Sequence, residues 1–187
     1  MSCKVKALIQ REMAKMNNET FDTVKFSDLI DANSEYVQTF KYSELTGSAA
    51  RGLAIVTCMD SRINPLSVVG MRSGDAKILR NAGARVTEDV LRTLVLATYL
   101  LNVDRILVMP HTDCRMAQSE ESNIHELIES KFGVDTRSLE FRVTKDQEAA
   151  LKTDITRIRT YPLIREGVSV AGAIYDVKTG KIDFKSF

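Results

Sequence analysis

The sequence is poor in several features, and each shortage narrows the reading. No apolar run is long enough to cross a bilayer. The longest, Leu94 to Leu101 (LVLATYLL), falls far short of the ~20 residues that a spanning helix needs. An excess of one charge is also missing: 26 Lys and Arg face 25 Asp and Glu, for a net charge of +1. That balance argues against a nucleic-acid partner and against an acidic membrane surface. The N-terminal residues MSCKVKALIQREMAK carry scattered charges and no apolar core, so they do not read as a secretory signal. A cytoplasmic protein is expected. Cysteine is scarce and odd in number, with three residues, which disfavours a disulfide framework and favours metal binding or catalysis. There are three prolines, no Gly/Ser linker, no repeat and no glycine-rich nucleotide loop.

What is present suits one α/β domain over residues 1–187, since domains commonly run to roughly 100–200 residues. Residues 1–50 form a helical N-terminal extension in this reading, and 51–187 the catalytic core. Leu53 to Thr57 (LAIVT) and Arg105 to Met109 (RILVM) are short apolar runs, as in strands buried on both faces of a parallel sheet. Lys77 to Arg80 is a further strand candidate, ended by the turn signal Asn81-Ala-Gly83. The alternation of Leu139, Phe141 and Val143 predicts another.

Helices are expected from Thr87 to about Asn102, over Ser119 to Phe132 with a cap and a closing Gly133, and over 146–166, where Pro162 predicts a late break. Val168 to Phe184 reads as two strands joined at Lys178-Thr-Gly180. The expected fold is therefore α/β, with a mainly parallel central sheet flanked by helices, N-terminal helices and a C-terminal strand pair.

Two clusters carry chemistry: Cys58-Met-Asp60-Ser-Arg62 and His111-Thr-Asp-Cys114. Each follows a strand-like run, and ligand sites in open α/β sheets gather beyond the carboxyl ends of the strands. Two thiolates and one imidazole suit zinc. Three protein ligands leave a fourth position for water, the mark of a catalytic site. Asp60 can reach the same space, and Arg62 can pair with it through a matching fork of donors. Asp113 admits two readings, a role behind the ligands or a cap on the next helix. His125 reads as an ordinary partly exposed histidine more readily than as a proton shuttle. Cys3 lies in a polar segment with little to suggest function.

These motifs, about fifty residues apart, resemble those of the β-class carbonic anhydrases, most closely the short bacterial members. Arg80-Asn-Ala-Gly83 resembles the intervening loop of that family and GAIYDVKTGKIDF its closing strands, so the likeness covers most of residues 51–187. The resemblance implies zinc on Cys58, His111 and Cys114, and hydration of carbon dioxide to bicarbonate and a proton by zinc-bound hydroxide. It also implies Asp60 as acceptor of a hydrogen bond from the bound water, Arg62 as its restraint, Gly83 near the substrate, and a homodimer or higher homo-oligomer. Asp60 itself is expected as a fourth ligand in an inactive state. The family commonly has glycine after the second cysteine; Arg115 stands here and bears on the shape and charge of the pocket.

Three other readings stay open: a carbonyl sulfide or carbon disulfide hydrolase with the same motifs, a non-catalytic zinc domain with Asp60 as permanent ligand, and a metal-free Cys–His hydrolase. The last explains neither the second cysteine nor the Asp–Arg pair.

Overall fold

The computed structural model describes residues 24–187, and these divide after Glu44 into two units. In the first, helix α1 (Ser27–Gln38) buries no residue, and Tyr36 meets Phe40 edge-on at 5.6 Å. The helical expectation for residues 1–23, and Cys3, lie outside the described residues.

The second unit is an α/β layer structure. Its strands are β1 (Leu53–Cys58), β2 (Ala76–Asn81), β3 (Arg105–Met109), β4 (Ser169–Tyr175) and β5 (Ile182–Lys185). They lie in the order β2-β1-β3-β4-β5. All neighbours run parallel except the β4–β5 pair, which is antiparallel, as expected for the closing strands. Central β1 is buried along its whole length, which explains its continuous apolar run.

Side chains alternate across the sheet with the strand period of two. Ala54, Val56, Ile106 and Val108 face one core. That core is covered by α3 (Glu88–Leu100) through Val90, Leu91 and Leu94, and by α6 (Gln147–Arg159) through Leu151, Ile155 and Ile158. Burying each of these side chains stabilises the fold by about 1.5–3 kcal/mol. Leu53, Ile55, Leu107 and Met109 face a second core, which also holds Cys58 and Cys114. Gly172 in β4 marks the closest approach of α6, since a Cβ there would lie 2.3 Å from Ile155 Cδ1.

Local signals set the helix ends. Thr87 accepts from the Val90 amide and Asp146 from the Ala149 amide, and Gly133 closes α5 (Glu121–Phe132) in the left-handed conformation at φ 68°. α5 starts at Glu121 without the side-chain cap expected near Ser119. α6 stops at Arg159, short of the 166 expected, just before Pro162. Two short helices, α2 (Pro65–Val68) and α4 (Arg115–Gln118), were not legible as helices.

One expected strand is absent. Leu139–Val143 joins no ladder, because the Glu121 carboxylate takes the Phe141 and Val143 amides and Arg142 turns the chain at φ 60°. Phe141 instead packs on His125, with ring centroids 5.2 Å apart. Among the described residues, no helix is long and apolar enough to cross a membrane.

Candidate metal centre

The site grows from the carboxyl ends of two adjacent parallel strands. Thr57 pairs with Met109 in register, and the buried Thr57 hydroxyl donates to the Met109 carbonyl at 2.7 Å. Cys58 ends β1, and His111 lies two residues beyond β3, where it bridges Tyr175 of β4. The Tyr175 amide donates to the Pro110 carbonyl and the Thr112 amide to the Tyr175 carbonyl, both at 2.9 Å. Cys114 follows in the turn before α4. The sulfurs of Cys58 and Cys114 and a ring nitrogen of His111 lie within 4.8 Å of one another, and all three residues are buried.

The imidazole is oriented for ligation. His111 Nδ1–H donates to its neighbour Thr112 at the carbonyl oxygen, 2.8 Å away. That bond leaves Nε2 with its lone pair free. Nε2 is the one buried side-chain nitrogen or oxygen among the described residues with no hydrogen-bond partner. An orphaned buried acceptor beside two cysteines is costly unless a cation takes it. The donor set S, S, N fits zinc.

The sulfurs are prepared for negative charge. Cys58 is held well below the usual thiol range, chiefly by a hydrogen bond from Cys114, against burial, and further by the backbone amides of Gly83 and Asp60. Cys114 is pushed up in return, by the Cys58 thiolate and by burial, while the Met116 amide pulls it down. A dication held by both sulfurs would take the remaining proton off the pair.

The Asp60–Arg62 pair forms as expected. Asp60 Oδ1 accepts from the Arg62 amide and from Nε, each at 2.9 Å, and Oδ2 accepts from Nη2 at 2.7 Å. These bonds hold the Asp60 carboxyl far below the usual carboxylate range. Oδ2 lies 3.8 Å from His111 Nε2, so the carboxylate borders the donor set.

Further residues complete the site, and their particular partners were not read from the sequence. Asp113 is no helix cap: its Oδ2 accepts from Arg62 Nη1 at 2.8 Å and its Oδ1 from Gln118 Nε2 at 2.7 Å. Arg80 spans the loop after β1, donating to the carbonyls of Cys58 (2.9 Å), Ile63 (3.3 Å) and Asp60 (2.6 Å). The Arg80-Asn-Ala-Gly83 motif marked its position but not these bonds. Gly83 sits at φ 78° in the turn Ala82–Ala84, where a Cβ would meet Met116 Cβ at 3.2 Å. The Asn81 side chain closes that turn, donating to the Arg85 carbonyl at 2.7 Å and accepting from its amide at 2.8 Å.

A cavity of ≈ 460 Å³ opens over Cys58, His111, Cys114 and Asp60. Its other walls are mostly apolar: Met59, Ala82, Met116, Ile124, Leu127, Ile128 and Phe141. Arg115 also lines it, exposed, and has ordinary backbone; the left-handed residue of this turn is Asp113 at φ 55°. The absent glycine therefore leaves no strain at 115. Gly83 is not itself in the lining, but Ala82 is. His125 lies outside it and bonds Thr136 at 2.9 Å.

The chain is similar to several known proteins. The family model described as "Carbonic anhydrase" matches residues 53–182. A protein named β-carbonic anhydrase 1 from Mycobacterium tuberculosis is 32% identical over 157 residues, covering 83% of this chain and 94% of its own length. The crystal structure of a carbonic anhydrase from Streptococcus mutans superposes with a TM-score of 0.81 at 36% identity, covering 89% of this chain and 99% of that one. A protein named carbon disulfide hydrolase from Acidianus sp. is 28% identical, covering 83% of this chain and 88% of its own length.

Proposed function

Since the chain belongs to the β-class carbonic anhydrase family, we propose that Cys58, His111 and Cys114 hold a zinc ion at which Asp60 and Arg62 serve the reversible hydration of carbon dioxide. The observation that carries the assignment is the orphaned His111 Nε2 aimed at two buried thiols. Zinc in such a site acidifies a water molecule and so supplies a nucleophile near neutral pH.

The chain's own residues do the rest. Asp60, ionised and oriented by Arg62, accepts the hydrogen bond of the attacking water at its Oδ2. Arg80 keeps the Cys58–Ile63 backbone in place beneath it. The Gly83 amide supports the Cys58 thiolate and brings its turn to the substrate side. The apolar wall of Ile124, Leu127, Ile128 and Phe141 receives a small neutral substrate and excludes bulk water. Arg115 adds a positive charge where anionic bicarbonate leaves.

The apolar wall also favours a second reading, hydrolysis of carbon disulfide or carbonyl sulfide, near-isosteres of carbon dioxide. Initial rates of the zinc-loaded enzyme on carbon dioxide and both sulfur compounds, side by side, test the two. Hydrogen sulfide release without carbon dioxide hydration would replace the first reading by the second; turnover of none would remove both.

Two further parts of the proposal concern context. Exposed Leu96, Tyr99 and Leu100 on α3 support a homodimer or higher homo-oligomer. The free buried thiols suit the reducing cytoplasm.

A further inference from the structure

We infer that Asp113 is a positioning residue, which anchors Arg62 from the second ligand loop and thereby keeps Asp60 off the metal. The inference rests on the proposed Asp60–Arg62 pair. Both oxygens of Asp60 are held by one residue, Arg62, only two positions away. A local pair of this kind, on an arginine whose side chain is 46% exposed, can swing as a unit. By itself it would not stop a carboxylate 3.8 Å from His111 Nε2 from moving onto a bound dication.

The restraint comes from the other side of the guanidinium. Nη1 donates to Asp113 Oδ2 at 2.8 Å and Nη2 to the Asp113 carbonyl at 3.2 Å. Asp113 lies between the ligands His111 and Cys114, so its place is set by the metal loop itself. It adopts φ 55°, a conformation that aspartate tolerates better than most residues. Gln118 then fixes the carboxylate rotation through the remaining oxygen at 2.7 Å. The planar guanidinium thus ties the β1 loop to the β3 loop, and Asp60 cannot turn toward the ligands without breaking bonds on both sides.

Asp113→Asn keeps the shape and removes the charge that anchors Arg62. The test compares loss of zinc to a chelator from the zinc-loaded wild type, Asp113→Asn, and Asp60→Asn with and without Asp113→Asn. With Arg62 loosened, Asp60 joins the ligands, so Asp113→Asn should release zinc more slowly, by about tenfold, the scale on which outer partners tune metal affinity. Carbon dioxide hydration should fall in the same variant. In the Asp60→Asn background the change at 113 should no longer slow release.

Gln118→Ala, an exposed change that leaves Asp113 charged, should act in the same direction more weakly and covers the case of a misfolded Asp113→Asn. Release at or above the wild-type rate in both variants would overturn the inference. So would slowing that survives Asp60→Asn. A wild type that binds zinc but does not hydrate carbon dioxide would refute the proposed function and leave the release comparison intact.

Discussion

Replacing Asp154 by alanine tests how the Gly83 turn is held against the body of the fold. Asp154 lies on α6 with a side chain only 6% exposed, and its carboxylate takes Arg85 Nε at 2.7 Å and Nη2 at 3.5 Å. Arg85 is 17% exposed and ends the turn that delivers the Gly83 amide to Cys58. Removing one partner of a buried pair leaves a charge uncompensated, at a cost of about 3–5 kcal/mol. Here Arg85 keeps the Arg142 carbonyl at 3.1 Å and some contact with water, which points to the lower end. For a chain of this size, about 3 kcal/mol lowers the Tm by about 6–12 °C. Calorimetry at matched zinc saturation measures it, since bound metal raises the apparent stability of any variant. The double change Arg85→Leu with Asp154→Leu removes both charges and should recover most of the loss. A Tm drop under about 2 °C for Asp154→Ala, or a double variant no better than the single, would refute the reasoning.

Cys114→Ala should lose bound zinc and activity together, read by metal analysis of the purified protein; a full complement of zinc would remove Cys114 from the ligand set. Arg62→Ala should keep its zinc while carbon dioxide hydration falls by about a hundredfold, the usual penalty for a misplaced group; wild-type turnover would contradict the role given to the pair. Arg62 holds the Asp60 carboxyl far below the usual range, so Asp60 stays ionised throughout neutral pH. Its carboxyl carbon NMR shift should stay flat from about pH 3 to 7, and a step near the ordinary aspartate pKa of about 4 would show that the pair does not persist. Activity itself should rise into mildly alkaline pH, because two thiolates offset the charge of the zinc and leave its water less acidic than three neutral imidazoles would. Stopped-flow rates across that range check it.

The residues of β1 and β3 determine their own burial and direction. Continuous apolar runs such as Leu53–Thr57 are soluble only when both faces are covered, so a parallel sheet with helices on its faces was legible from them. The grouping of Cys58, His111 and Cys114 was legible for the same reason, since Cys58 ends one strand and His111 and Cys114 follow closely on its neighbour. Asp60 and Arg62, two residues apart, are within reach of one another by sequence alone. The partners that tertiary structure chose are of another kind. Asp113 meets Arg62 across 51 positions, and Arg85 meets Asp154 across 69. The alternation in Leu139–Val143 was a real pattern without a strand to pair with, because Glu121 claimed its amides first. Apolar periodicity is local and is written in consecutive residues. A charged side chain satisfies itself with whichever group the fold brings near, and only the assembled sheet and its loops decide which group that is.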